Sequence, residues 1–195
     1  MLLPCPVPER PHCGIRHSGS SGALTESQPT GSHGVTALLA QTPGVDLAGA
    51  CDGLHATVVA LEITRTFWEK ATILQAEHHR PPDLPIKDRF ARHCAGSEAL
   101  WRHPRRAKAL ARLDWLEDVV RHKSRFSSSG WTHQETAKPG TFRRVAPPAC
   151  QAVLARDCAT MAPMFIGEPI KFDVMLQRLP AVQRHLNDGR LFRPD

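Results

Sequence analysis

The segment from Thr64 to about His79, closed by Pro81-Pro82, constrains this chain more than any other stretch. Phe67, Ala71, Leu74 and His78 recur at steps of four and three, which places them on one side of a helix. Thr64 has a side chain suited to the N-cap, and the two prolines cannot continue the hydrogen-bond ladder. Any fold must therefore carry a helix here. The run His55–Ile63 just before it is β-branched and largely apolar, which predicts a short strand leading into that helix.

Upstream the composition is different. Residues 1–53 are dominated by Pro, Gly, Ser, Thr and His, with one short apolar segment, Val35-Thr36-Ala37-Leu38-Leu39-Ala40. Such a stretch buries too little apolar surface to offset its chain entropy, so a low-order, largely irregular arm is expected there. Downstream, helical patterning returns. Ala109, Leu113, Leu116 and Val120 predict a helix from about Arg105 to Ser124, ended by Ser127-Ser128-Ser129-Gly130. A third helix is expected from Pro147-Pro148 to about Met161. A fourth is marked by Phe172, Leu176, Leu179, Gln183 and Leu186, with Pro180 expected to kink or divide it. Residues 54–189 thus read as one mainly α unit followed by a tail, 190–195.

The chain has 195 residues, enough for one ordinary domain with an arm. Its 25 Lys and Arg against 19 Asp and Glu give a formal charge of +6, which favours anionic partners such as RNA, DNA or nucleotides. A solvated basic surface accounts for the same balance. The 6 Cys include no C-x-x-C pair, so scattered reduced thiols of a cytoplasmic protein are expected. Cys5, Cys13 and His17 lie close in sequence, but no fourth metal ligand accompanies them. No apolar run approaches the roughly 18–20 residues of a membrane span, so no membrane partner is expected.

Two lysines carry the chemical reading. Lys70 falls at the flank of the Phe67/Ala71/Leu74 face, so its stem can pack while its ammonium reaches a cleft, where a point cation suits a triphosphate. A surface lysine pairing with Glu69 is the plainer alternative. Lys123 continues the Ala109/Leu113/Leu116/Val120 stripe and should point inward, where its ammonium needs a partner; Asp157 and Asp173 are the candidates for a structural ion pair.

The run Arg65-Thr66-Phe67-Trp68-Glu69-Lys70-Ala71-Thr72-Ile73-Leu74 opens an ordered series of motifs. Arg92-His93-Cys94-Ala95-Gly96-Ser97 follows, then Val119-Val120-Arg121-His122-Lys123-Ser124, Trp131, Pro139-Gly140, Asp157-Cys158-Ala159-Thr160-Met161 and Phe165–Asp173. In order and approximate spacing, from about Leu61 to Asn187, this series resembles the C-terminal part of the AbiEii/AbiGii-type nucleotidyltransferase toxins. The resemblance implies the helical C-terminal half of an α/β nucleotidyltransferase-like fold. It also implies an activity: transfer of nucleotides from a nucleoside triphosphate, with Mg²⁺, onto RNA such as tRNA. The partner it implies is a cognate antitoxin. Residue by residue, Lys70 corresponds to the catalytic-cleft lysine of that family, and Arg92 and Lys123 to contacts for nucleotide or RNA phosphate.

The departures are specific. Gly96 stands where the family has an aspartate after its Arg-His pair, and no Asp-x-Asp metal motif precedes the helical part; Asp46 and Asp52 are too far apart to replace it. The expectation is a truncated or degenerate toxin of the abortive-infection type, inactive as this chain alone. The alternative is a non-catalytic basic helical protein that binds RNA or an antitoxin through Arg102, Arg105, Arg106, Lys108, Arg112, Arg121, Lys123 and Arg125.

Overall fold

The computed structural model describes residues 28–41, 54–127, 129–165 and 167–188. Cys5, Cys13, His17, Asp46, Asp52 and the expected tail lie outside them. The described residues form a mainly helical unit with one two-stranded antiparallel sheet.

Strand β1, Thr30–Thr36, pairs with β2, His55–Leu61, in a register that sets Thr30 opposite Leu61 and Thr36 opposite His55. The strand expected before the first helix is present. Its partner comes from within the stretch expected to be a low-order arm, so part of residues 1–53 is ordered by pairing, and a boundary at residue 53 falls inside the connection between the two strands. Gly31, Gly34 and Ser32 are poor strand formers. The ladder hydrogen bonds of β2 supply what their side chains do not.

Helix α1, Ile63–His78, is central rather than amphipathic. Eleven of its residues are buried, and they include Arg65, Glu69, Gln75 and Glu77 as well as Phe67, Trp68, Ala71 and Leu74. The expected apolar face is correct but covers only part of the buried surface. Thr64 is not the N-cap: the helix starts one residue earlier, with Glu62 flanking it and making no side-chain cap bond, while Thr64 is buried inside the first turn.

Helix α2, Ala91–Arg102, was not expected as a separate element. Its start is fixed from a distance. Asp157 accepts the backbone N–H groups of Arg89 and Ala91, each at 2.7 Å, and so caps the helix from another element.

The single helix expected over 105–124 is two: α3, Arg106–Leu110, and α4, Leu113–Phe126. The break has a physical partner, because the indole N–H of Trp68 points at the carbonyls of Ala109 (3.0 Å) and Arg112 (3.1 Å) where the helical ladder lapses. Helix α5, Pro148–Met161, matches its expectation, with a proline in its first turn. Helix α6, Phe172–Asn187, runs on through Pro180 without being divided. It buries Met175, Leu179, Val182 and Leu186, so its apolar stripe is shifted from the one read off Phe172 and Leu176.

Two core clusters meet at α1. One gathers Phe67, Trp68 and Ala71 with Leu116, Val119, Phe142, Val182 and Leu186. The other gathers Leu74 with Phe90, Cys94, Ala95, Leu154, Cys158, Met175 and Leu179. Cys94 and Cys158 are therefore core residues.

The link between α4 and α5 is held by side-chain amides. Asn187 accepts from the Phe142 N–H (2.8 Å) and donates to the Phe142 carbonyl (2.9 Å), Gln75 accepts from the Arg143 N–H (2.5 Å), and Gln183 accepts from the Arg144 N–H (2.7 Å). An extended segment with no strand neighbour is thereby satisfied by α1 and α6.

Candidate functional site

Lys70 lies in α1, and Arg92 and His93 in the first turn of α2. Packing of α1 against α2 brings the Lys70 Nζ within 3.2 Å of His93 Nδ1, and Arg92 Nε lies 3.4 Å from His93 Nε2. Gly96, one turn further along α2, completes the site: a Cβ placed there would meet only Lys70 Cε, at 3.7 Å. Gly96 therefore stands directly beside the lysine stem.

The electrostatics are those of crowded cations. Burial, and then the Arg92 guanidinium, lower the Lys70 pKa, against a smaller opposing effect of Glu69. His93 is pushed down to about 4, first by burial and then by Lys70, Arg92 and Lys123. Its imidazole is neutral at neutral pH. A neutral imidazole has one bare nitrogen and one N–H, so His93 can accept from Lys70 or from Arg92, but not from both. If Nδ1 carries the proton, it donates to an uncharged Lys70 amine while Nε2 accepts from Arg92, and both contacts are satisfied. A phosphate oxygen arriving at this cluster would instead favour the charged ammonium.

Lys123 does point inward, as its place on the α4 stripe predicts, and is 4% exposed. Its partner is Glu69, not Asp157 or Asp173. The ammonium lies 2.9 Å from Glu69 Oε2, and donates to the Glu69 carbonyl at 2.9 Å and to Thr72 Oγ1 at 2.8 Å. All three of its donors are thus used within α1. A phosphate contact would require it to leave all of them, so its place here is structural. Asp157 is occupied as the cap of α2, and Asp173 is exposed in the first turn of α6. Glu69 also faces Arg65, which lies 3.7 Å away and, on its other side, 3.9 Å from Asp118.

The plainer alternative for Lys70, pairing with Glu69, is displaced because Glu69 turns inward to Lys123. Sequence patterning assigns His93 no separate role. Its adjacency to Arg92 was visible, but its reach to Lys70 depends on how α2 docks on α1. The neighbours of Lys70 are the cations Arg92 and Lys123 and the neutral imidazole of His93, with Glu69 engaged by Lys123. Mg²⁺ demands oxygen ligands at short range, and this donor set does not fit it.

The basic segment after α2 is mostly solvent-facing. Arg102, Arg105 and Lys108 are exposed, with Arg105 3.9 Å from Glu62. The Arg106 guanidinium lies 4.5 Å from the centre of the Trp101 ring, and that of Arg112 lies 3.9 Å from Trp115 while also forming a bidentate pair with Asp114. Arg121 pairs with Asp118, and Arg125 is exposed. No helix among the described residues is long and apolar enough to cross a membrane. In comparisons with protein-family models, with curated proteins and with solved structures, nothing matches this chain.

Proposed function

We propose that this chain corresponds to the helical portion of an AbiEii/AbiGii-like nucleotidyltransferase toxin, and that by itself it holds phosphate oxygens at Lys70 and Arg92 without transferring a nucleotide. One observation carries the reading: Lys70, Arg92 and His93 converge at 3.2–3.4 Å from two helices, with no carboxylate between them and Gly96 leaving room beside the Lys70 stem. Such a cluster suits a phosphate group of a nucleoside triphosphate or of RNA. Holding divalent ions for nucleotidyl transfer takes paired carboxylates, and the cluster has none.

The test is a pair of measurements on the full chain. Incubation with each labelled nucleoside triphosphate, tRNA and Mg²⁺ is expected to leave the RNA unlabelled. Equilibrium binding of ATP is expected at low salt and is lost in Lys70→Ala. Robust Mg²⁺-dependent labelling that disappears in Lys70→Ala overturns the claim of inactivity. ATP binding that is absent, or unchanged in Lys70→Ala, removes the phosphate site.

A second reading, RNA binding without turnover, is favoured by the exposed Arg102, Arg105 and Lys108. Affinity for RNA should then fall steeply with salt and drop further in the triple alanine variant at these positions, with Lys70→Ala having little effect.

A further inference from the structure

We propose that Arg144 forms a buried site for a small monovalent inorganic anion of about the size of chloride. The guanidinium is deep in the protein, with the residue 2% exposed, and its Nε, Nη1 and Nη2 have no hydrogen-bond acceptor among the described residues. The backbone that leads into it is held in place: Gln75 accepts from the Arg143 N–H and Gln183 from the Arg144 N–H. Phe142, two residues before, is clamped at both its N–H and its carbonyl by Asn187.

Among the described residues no countercharge stands beside it. The guanidinium carbon lies 5.7 Å from the centre of the Phe67 ring, whose quadrupole offsets only a small part of a full charge. Cys94 is the one titratable group that raises the Arg144 pKa, and burial holds its thiol near 12, so it is uncharged at neutral pH. Burial lowers Arg144 itself to about 10, which still leaves it a cation at neutral pH.

A buried cation with several unused donors is strongly unfavourable unless a negative charge joins it. A monatomic anion meets that need. It accepts from guanidinium donors in several directions, and it is small enough for an enclosed position. Larger or doubly charged ions are disfavoured by size and by desolvation. The anion would tie the 142–145 segment to α1 and α2, in addition to the amide contacts that already tie it to α1 and α6.

Thermal melting of the full chain at constant ionic strength, with sodium gluconate replaced stepwise by sodium chloride, tests this. Chloride at ten times its dissociation constant is expected to raise Tm by about 4 °C. The rise is expected to vanish in Arg144→Met, which keeps an unbranched stem and removes the guanidinium. Because that variant could fail to fold, bromide-soaked crystals of the unaltered protein provide an independent reading, with an anomalous peak expected beside the Arg144 guanidinium. Equal melting in gluconate and chloride together with no bromide peak overturns the site. So does a chloride effect that survives in Arg144→Met.

Discussion

The Lys123 ammonium and the Glu69 carboxylate, 2.9 Å apart and both almost fully buried, join α4 to the middle of α1. Neither charge has water to fall back on. Removing one partner strands the other, so Lys123→Met and Glu69→Gln are each expected to cost about 3–5 kcal/mol of unfolding free energy. The double variant Glu69→Gln/Lys123→Met should recover part of that loss, because neither member of the pair is then left as a stranded charge, although Arg65 still loses a carboxylate neighbour. Urea unfolding of the four proteins closes the cycle. Strictly additive losses would mean that the two residues act independently.

Gly96 faces the Lys70 stem from α2, and two substitutions there separate backbone from charge. Gly96→Ala adds a Cβ that meets only Lys70 Cε at 3.7 Å, so it should stabilise the helix by about 0.5–1 kcal/mol. Gly96→Asp places a carboxylate beside the ammonium. It is expected to raise the Lys70 pKa towards its ordinary value and to weaken ATP binding at least tenfold. The pH dependence of Lys70 acylation, read by mass spectrometry, reports the first effect. Unchanged acylation would show that the carboxylate does not reach the amine.

His93 gives the site a pH signature. Its pKa is about 4 in the folded protein, against the 6.5 of a free imidazole. Between those two values the unfolded chain takes up a proton that the folded chain refuses, so the His93 contribution destabilises the protein as pH falls from about 6.5 to 4 and is constant outside that window. In His93→Gln the fall in Tm over this range should be shallower than in the unaltered protein. Parallel curves would place the titration elsewhere, with His79, which is also lowered by burial, as the next group to replace.

Asp157 contributes through the start of α2. Asp157→Ala leaves the Arg89 and Ala91 N–H groups without their acceptor and is expected to cost about 0.5–2 kcal/mol. Because α2 carries Arg92 and His93 in this same turn, ATP affinity should fall along with stability. Asp157→Asn, which keeps an acceptor, should recover part of both.

Where local pattern alone decided an element, the sequence was readable. Pro81-Pro82 closed α1 almost where expected, and Pro148 opened α5. Lys123 was placed inward by its helical phase. What could not be read came from contacts between distant segments. Nothing near Ala91 in sequence announces a helix start whose cap is Asp157, and the Lys123 partner Glu69 lies on a face of α1 that looked polar and therefore outward. The charged residues of α1 are buried because other helices pack on more than one side of it, a fact absent from its own periodicity. The same holds for β1, whose Gly-rich sequence forms a strand only because β2 is there to pair with it. At the site, Lys70 was legible as a residue standing at the edge of an apolar face. Its association with His93 was not, since it depends on the α1–α2 docking.

The break between α3 and α4 shows the same dependence and can be tested directly. Ala109, Leu113 and Leu116 keep helical phase across it, yet the helix stops at Leu110 and restarts at Leu113, with the Trp68 indole N–H shared between the Ala109 and Arg112 carbonyls. Trp68→Phe keeps an aromatic ring in the core but removes that donor. The Ala109 and Arg112 carbonyls, which also accept from the Arg112 and Trp115 N–H groups, then each lose one donor, at a cost of about 0.5–1.5 kcal/mol beyond the smaller ring's lost contacts. If the indole holds the break open, amide hydrogen exchange in Trp68→Phe should accelerate at residues 109–115 well before global unfolding, while α5 and α6 keep their protection. Uniformly faster exchange across all the helices would instead mean that Trp68 acts only as core volume and that the break has another cause.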